Sequence, residues 1–480
     1  MPDPFLDPLP WLILLPLAWG ALAFVAGPGR GGGLALVGLT GQLGLALVLA
    51  VQVVESGARS HAVGGWGAPL GIDLLADGLA VAMLLLTQVV ALPQAVYARA
   101  YFAQGAGQFW PLAGFLLAAL NALFLSADLF NIYVTLELVS LAAVGLVALG
   151  GKPGQVAAAL RYLLVSLTTS GAYLMGVALI YGVYGTVSLA TLAPLVTHQP
   201  PLAVWLAVGL MGLGLLAKTA LFPFHFWLPP AHGGAAAPVS ALLSALVVKA
   251  SFYLLLRLAL GPFVSLAAEA ALLLGMLGAV AILWGSWQAL RTVHIKMLVA
   301  WSTVAQLGYL FLAFPLLAAD GLALQAGVMQ ALAHGLAKAA MFAAAGVLML
   351  ATGRDTLAGL AGAAGRVPLT LFAFALAGIT LMGLPPSGGF LAKWLLIDAA
   401  LHQGQVGWVV VVIGGGLLAA GYVFRVLRQA FLHGPPEAPI QPVHPVSRSM
   451  EWATFLLAAA SVLLGLRGVE LVALLERGMP

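Results

Sequence analysis

Apolar runs of about 20 residues recur along this chain from end to end, each long enough to cross the ~30 Å hydrocarbon layer of a bilayer as a helix. The chain therefore reads as an all-α polytopic membrane protein. Composition agrees, since only 7% of the 480 residues are charged, against roughly a quarter in soluble domains. The 58 glycines suit close helix–helix approach in lipid rather than a phosphate loop.

Gly, Pro and charged residues end the runs and mark about fourteen spans. Their cores lie near 10–27, 33–55, 72–97, 108–127, 129–149, 160–184, 202–228, 237–258, 262–287, 294–315, 322–350, 368–402, 405–430 and 450–475. The start, MPDPFLDPLP, carries Asp3 and Asp7 but no cation, so it lacks the positive region of a cleavable signal peptide. The first run is expected to stay as a helix. The one long polar connection, HGPPEAPIQPVHPVSRSM at 433–450, holds five prolines and reads as a surface loop.

The cations set an orientation. Connections after odd-numbered spans hold eleven: Arg30, Arg99, Lys152, Arg161, Arg291, Lys296, Arg354, Arg366, Arg425, Arg428 and Arg448. The opposite connections hold four: Arg59, Arg257, Arg467 and Arg477. Positive charge accumulates on the cytoplasmic side, which places both termini outside. The absence of cysteine removes iron–sulfur clusters, thiolate metal sites, c-type haem and disulfides. The cations form no run that would suit nucleic acid.

Four of the six lysines remain, and they fall inside spans: Lys218, Lys249, Lys338 and Lys393. A lysine at that depth costs a few kcal/mol or more. One near a helix end can snorkel to the interface, but these four sit well inside their runs. Low dielectric disfavours the charged form of a lysine, and a nearby carboxylate restores it. A lysine whose carboxylate partner approaches and withdraws is therefore a proton-affinity switch.

Glu137, in SADLFNIYVTLELVSLAAVGL, is the candidate partner for Lys218, in LLAKTALFPFHFWLPPAH. A static ion pair that only orders the bundle is the other reading of the two. Lys249 lies near the middle of the eighth span. His334 and Lys338, in QALAHGLAKAAMF, are four apart and share one helix face, and histidine suits a relay near neutral pH. Lys393, in GLPPSGGFLAKWLLIDAAL, stands beside Pro385, Pro386, Gly388 and Gly389, as Lys218 stands beside Pro223. Paired broken helices in spans of opposite direction are what inverted-topology repeats produce. His225 and His232 flank the exit of the seventh span and are candidates for proton entry.

Other polar residues carry less. Asp73 and Asp77 are expected at a hydrated interface, Asp128 as a cap of the fifth helix, and Glu269 and Asp398 are ambiguous. The tryptophans read as interfacial anchors or packing.

At these residues the chain resembles the antiporter-like family shared by respiratory complex I, membrane-bound hydrogenases and Mrp-type cation/proton antiporters. The matching stretches cover nearly the whole chain: DGLAVAMLLLTQVVAL, DLFNIYVTLEL, LLAKTALFPFHFWLPPAH, APVSALLSALVVKASFYLLLR, HIKMLVAWSTVAQLGYL, HGLAKAAMFAAAGV and GLPPSGGFLAKWLL. DLFNIYVTLE and GLPPSGGFLAKWLL look most like Mrp D subunits, and lysine rather than glutamate at 393 differs from the complex I subunit called M. Ser244 stands where several relatives have histidine, and Pro230 where many have aspartate.

The resemblance implies fourteen helices in one membrane domain over 1–480. Helices 4–8 and 9–13 would form two inverted repeats (108–258 and 262–430) between the first three helices (1–100) and a loop with the last helix (431–480). Helices 7 and 12 would be broken. It also implies proton-path roles for Glu137, Lys218, Lys249, His334, Lys338 and Lys393, with no cofactor, no metal and no catalytic chemistry of the chain's own. Its partners would be other membrane subunits, protons, monovalent cations and lipid, in a bacterial inner membrane. Three readings follow: an Mrp-type antiporter subunit, a proton-pumping subunit of a redox complex, or a solitary or bicarbonate-accumulating transporter on the same scaffold.

Overall fold

A computed structural model describes residues 7–103, 105, 107–317, 321–432 and 446–478. The first six residues, the expected loop up to residue 445 and the side chain of Arg477 lie outside the described residues.

The spans begin with α1 (Pro8–Ala26), α2 (Pro28–Ser56), α3 (Gly78–Tyr101), α4 (Phe109–Leu125), α5 (Leu129–Ala148) and α6 (Pro153–Tyr184). A broken helix follows, with α7a (Leu202–Thr219), a 3-10 turn (Phe224–Trp227) and α7b (Leu228–Gly234). Then come α8 (Ala237–Leu260), α9 (Val264–Arg291), α10 (Ile295–Phe311) and α11 (Leu322–Thr352). A second broken helix has segments α12a (Pro368–Met382) and α12b (Gly388–His402), before α13 (Val406–Phe431), α14 (Arg448–Leu463) and the short α15 (Gly468–Gly478). Among the described residues, twelve helices are individually long and apolar enough to span a bilayer. Counting the 17-residue α4 as one span and the two 15-residue segments of α12 as another gives the fourteen expected.

Side-chain caps start several helices where the sequence offers a short polar residue before an apolar run. Asp7, Asp77, Asp128, Ser387 and Ser447 accept from the first backbone amides of α1, α3, α5, α12b and α14. Asp128 is thus the cap expected of it.

The third span is shifted. Residues 73–76 form β2 (Asp73–Ala76), paired antiparallel with β1 (Arg59–Ala62), and the helix begins only at Gly78. This hairpin defines one end of the bundle, to which the starts of α1, α3 and α5 belong: His61 of β1 pairs with Asp7 at 2.7 Å, and Leu74 bridges Ser126. The last span, expected as one helix over 450–475, stops at Arg467. Arg467 pairs with Glu470, and α15 turns back against α3, where a Cβ on Gly78 would collide with the Leu474 carbonyl.

Both expected breaks are present. α7a ends at Ala220, buried in the left-handed region at φ 59°, and α12a ends at Gly383, φ 81°. Lys218 precedes its break and Lys393 follows its own, so both lie on the hairpin side. α8 contains a π-helical turn at Leu243–Val247. α8, α10 and α11 fill the middle of the bundle, while α1, α2, α6, α9 and α13 show apolar side chains such as Val25, Val37, Leu164, Leu283 and Leu417 to the surroundings.

Candidate functional site: a row of buried lysines

At the end of α7a, Lys218 Nζ lies 3.7 Å from Glu137 Oε1 of α5, so the structure brings the expected pair together. The contact is loose. The ammonium instead donates at 2.8 Å to Ser140 Oγ and at 2.6 Å to Ser166 Oγ. Close ammonium–carboxylate bonds run at about 2.7–2.9 Å, and Glu137 Oε1 takes no hydrogen bond. The carboxylate can move without breaking one. Sequence reasoning missed both serines, each on a helix facing Lys218.

Lys249 is fully buried and donates to the carbonyl of Ser244 inside the π-helical turn. Ser244 Oγ meets Thr303 Oγ1 of α10 at 3.0 Å. Lys338 of α11, equally buried, donates to the Val299 carbonyl at 2.9 Å and to Ser302 Oγ at 2.5 Å, both on α10. α10 thus serves as a polar strut between two lysines. One turn on, Gln306 takes Nε2 of Gln330 on its own Oε1 at 3.2 Å and donates to the Leu381 carbonyl at 3.2 Å.

That carbonyl also receives Lys393 Nζ at 2.6 Å, with the Met382 carbonyl at 3.2 Å. The break in α12 frees these carbonyls, and Lys393 uses them, lying 4.3 Å from the Tyr309 ring centre. A polar line therefore crosses α11, α10 and α12: Lys338 bonds Ser302, Gln306 stands one turn further along α10, and Gln306 and Lys393 share the Leu381 carbonyl. Ser302 and Gln306 stand four apart in WSTVAQ, which was the available signal.

Of the histidines, His334 shares α11 with Lys338, and neither of its ring nitrogens has a partner although it is buried. His232 in α7b is in the same condition. His225 Nε2 accepts from Trp284 Nε1 at 3.1 Å, which puts the proton of a neutral ring on Nδ1.

Three charged residues correct the sequence reading. Lys296, expected in a connection, is the second residue of α10, is buried, and donates to the Ala235 carbonyl at the end of α7b. Asp77 and Arg257, expected at a hydrated interface and in an outer connection, form a buried ion pair at 2.7 Å. Arg257 Nε also donates to the Tyr253 hydroxyl at 2.7 Å, which donates to the Phe124 carbonyl at 2.6 Å. The pair locks α3 and α4 onto α8. Glu269 is exposed on α9, and Asp398 faces His402 at 3.7 Å on α12b.

Fold and row together define a multi-pass helical membrane protein with a series of buried lysines inside its spans. The chain belongs to the NADH:quinone oxidoreductase/Mrp antiporter transmembrane family, whose signature matches residues 126–419. It is 37% identical over 416 residues to NADH-quinone oxidoreductase subunit N of Desulforudis audaxviator, covering 84% of this chain and 81% of that one. It is 28% identical over 428 residues to the D-type subunit of the Na⁺/H⁺ antiporter of Bacillus subtilis, covering 88% and 86%. Among solved structures, a chain of the Mrp complex from Dietzia sp. DQ12-45-1b superimposes with a TM-score of 0.90 at 27% identity, over 99% of this chain and 97% of that one.

Proposed function

We propose that this chain is an ion-translocating membrane subunit of a multisubunit Mrp-type cation/proton antiporter. Protons move along Glu137, Lys218, Lys249, His334, Lys338 and Lys393, and movement of Glu137 against Lys218 gates them. The observation that carries the reading is the row itself: four buried lysines, one carboxylate loosely paired with Lys218, and hydroxyl or amide groups of α10 among Lys249, Lys338 and Lys393. Buried charges in a membrane domain are costly, and a set of them in series is expected where ions pass. The axis has no driving chemistry of its own, so other membrane subunits supply it.

The hairpin end faces outward in this reading, in a bacterial inner membrane. His225, His232 and Lys296 then lie toward the cytoplasm and feed the row. A second reading, a proton-pumping subunit of a redox complex, is favoured by the 37% identity to a quinone oxidoreductase subunit.

Sealed vesicles carrying the whole complex separate the two: a sodium or potassium pulse builds ΔpH under the first reading, an electron donor under the second. Lys218→Ala and Glu137→Gln abolish either response. Full activity in both variants with normal assembly rules out the switch.

A further inference from the structure

The buried face of α6 carries polar groups of which the lysine row uses only Ser166. Tyr162, Ser166, Ser170 and Tyr173 recur there at helical spacing. Ser166 Oγ receives the 2.6 Å bond from Lys218. One turn nearer the hairpin end, Ser170 Oγ has no hydrogen-bond partner, and one turn further neither has the Tyr173 hydroxyl. These residues are 2% and 0% exposed.

Buried hydroxyls are satisfied as a rule, by protein or by water. A helical serine has its own i−4 carbonyl at hand, and Ser140 and Thr169 take that option. Ser170 does not. Two successive orphan hydroxyls in line with a lysine mark positions for water. Beyond Tyr173 the face turns apolar at Val177 and Ile180. Partly exposed Asp128, the cap of α5, bridges Ser188 just past the end of α6 and stands at the outer end of the line.

Toward the other end the line is shut. The Tyr162 ring lies flat on Trp227 of the 3-10 turn, with centroids 4.3 Å apart and planes at 5°. Lys249 has no comparable outlet, because Tyr253 and Arg257 follow it on the same face of α8 with their bonds closed. Arg257, tied to Asp77 and holding its proton, stands about 12 Å outward of Lys249 and hands no proton on.

We propose that Lys218 exchanges its proton with the outer surface through Ser166, Ser170, Tyr173 and Asp128. The inference rests on the translocation reading above. A proton leaves Lys218 Nζ for Ser166 Oγ while the hydroxyl proton of Ser166 passes to water at Ser170. The same shift repeats at Ser170 and Tyr173. The Asp128 carboxylate takes the last proton and releases it outside, and Lys218 is left as a neutral amine.

The chain has no cysteine, so Ser170→Cys gives this subunit a single thiol. In oriented vesicles carrying the whole complex, Ag⁺ added from the outer face is expected to protect that thiol against later alkylation, whereas Ag⁺ from the cytoplasmic face is not. No outer protection, or any protection from the cytoplasmic face, overturns the route.

A second arm deletes the hydroxyls alone, with Ser170→Ala and Tyr173→Phe combined. In a dry site, losing two orphan hydroxyls is neutral or stabilising, and translocation at the wild-type rate overturns the proposal. The expected result is normal assembly with a translocation rate lowered about tenfold or more. Lys218→Ala is measured alongside. If it stays active, the translocation reading itself fails; if it is dead while the double variant is fully active, only this route fails.

Discussion

Gly383 makes room for Lys393. At φ 81° a side chain is strained, and a Cβ on Gly383 would come within 2.5 Å of Lys393 Cδ. The break in α12 and the lysine that uses its carbonyls are thus one unit. Gly383→Ala is expected to push Lys393 off the Leu381 carbonyl and to cut proton translocation while the complex still assembles. Vesicle ΔpH measurements beside native-gel assembly check this; unchanged translocation would falsify the coupling.

Lysine and arginine should separate charge from proton transfer at Lys218 and Lys249. Arginine keeps a cation at either position but does not release its proton in proteins. Lys218→Arg and Lys249→Arg are each expected to assemble and to lose translocation, much as the alanine variants do. If either arginine variant works at the wild-type rate, that position is a fixed charge and not a carrier.

The Asp77–Arg257 pair should behave as a structural lock. Removing one partner strands a buried charge, which costs about 3–5 kcal/mol. Asp77→Asn and Arg257→Gln should each lower the thermal stability of the complex in detergent sharply. The double variant should lose much less than the sum of the two. Additive losses would show that the residues do not act on each other.

Lys296 caps the far end of α7b through the Ala235 carbonyl. Lys296→Met leaves that buried carbonyl with only the long 3.5 Å bond from Ser240 Oγ, at a cost of about 1–3 kcal/mol. Hydrogen exchange at residues 228–236 should accelerate, while Lys296→Arg should hold it near the wild-type rate. Equal protection in all three proteins contradicts this role.

The spans, the four mid-span lysines and both helix breaks were legible in the sequence because the apolar background is so uniform that any charge or proline stands out. Lys296, Asp77 and Arg257 were misread for one reason. They lie within two turns of a span end, where hydration or snorkelling is the ordinary expectation, and depth judged from an apolar run errs by about that much. The third span shows the error directly, starting at Gly78 rather than near residue 72. Ser140, Ser166 and Ser302 were passed over because serine in a helix normally satisfies itself on its own backbone. Only the fold reveals which serines face a lysine. The hairpin escaped because its strands have four residues each, too few to set a period.

The π-helical turn of α8 has a geometric consequence. A residue inserted into α geometry turns everything beyond it by about 100°. Lys249, Tyr253 and Arg257 all follow the turn at Leu243–Val247 and inherit that offset, whereas Ser240 precedes it. The two halves of α8 are therefore indexed separately, like two dials on one shaft. Deleting one residue within 243–247 would swing the lysine and the Arg257 lock together onto new neighbours, leaving the half that carries Ser240 where it is.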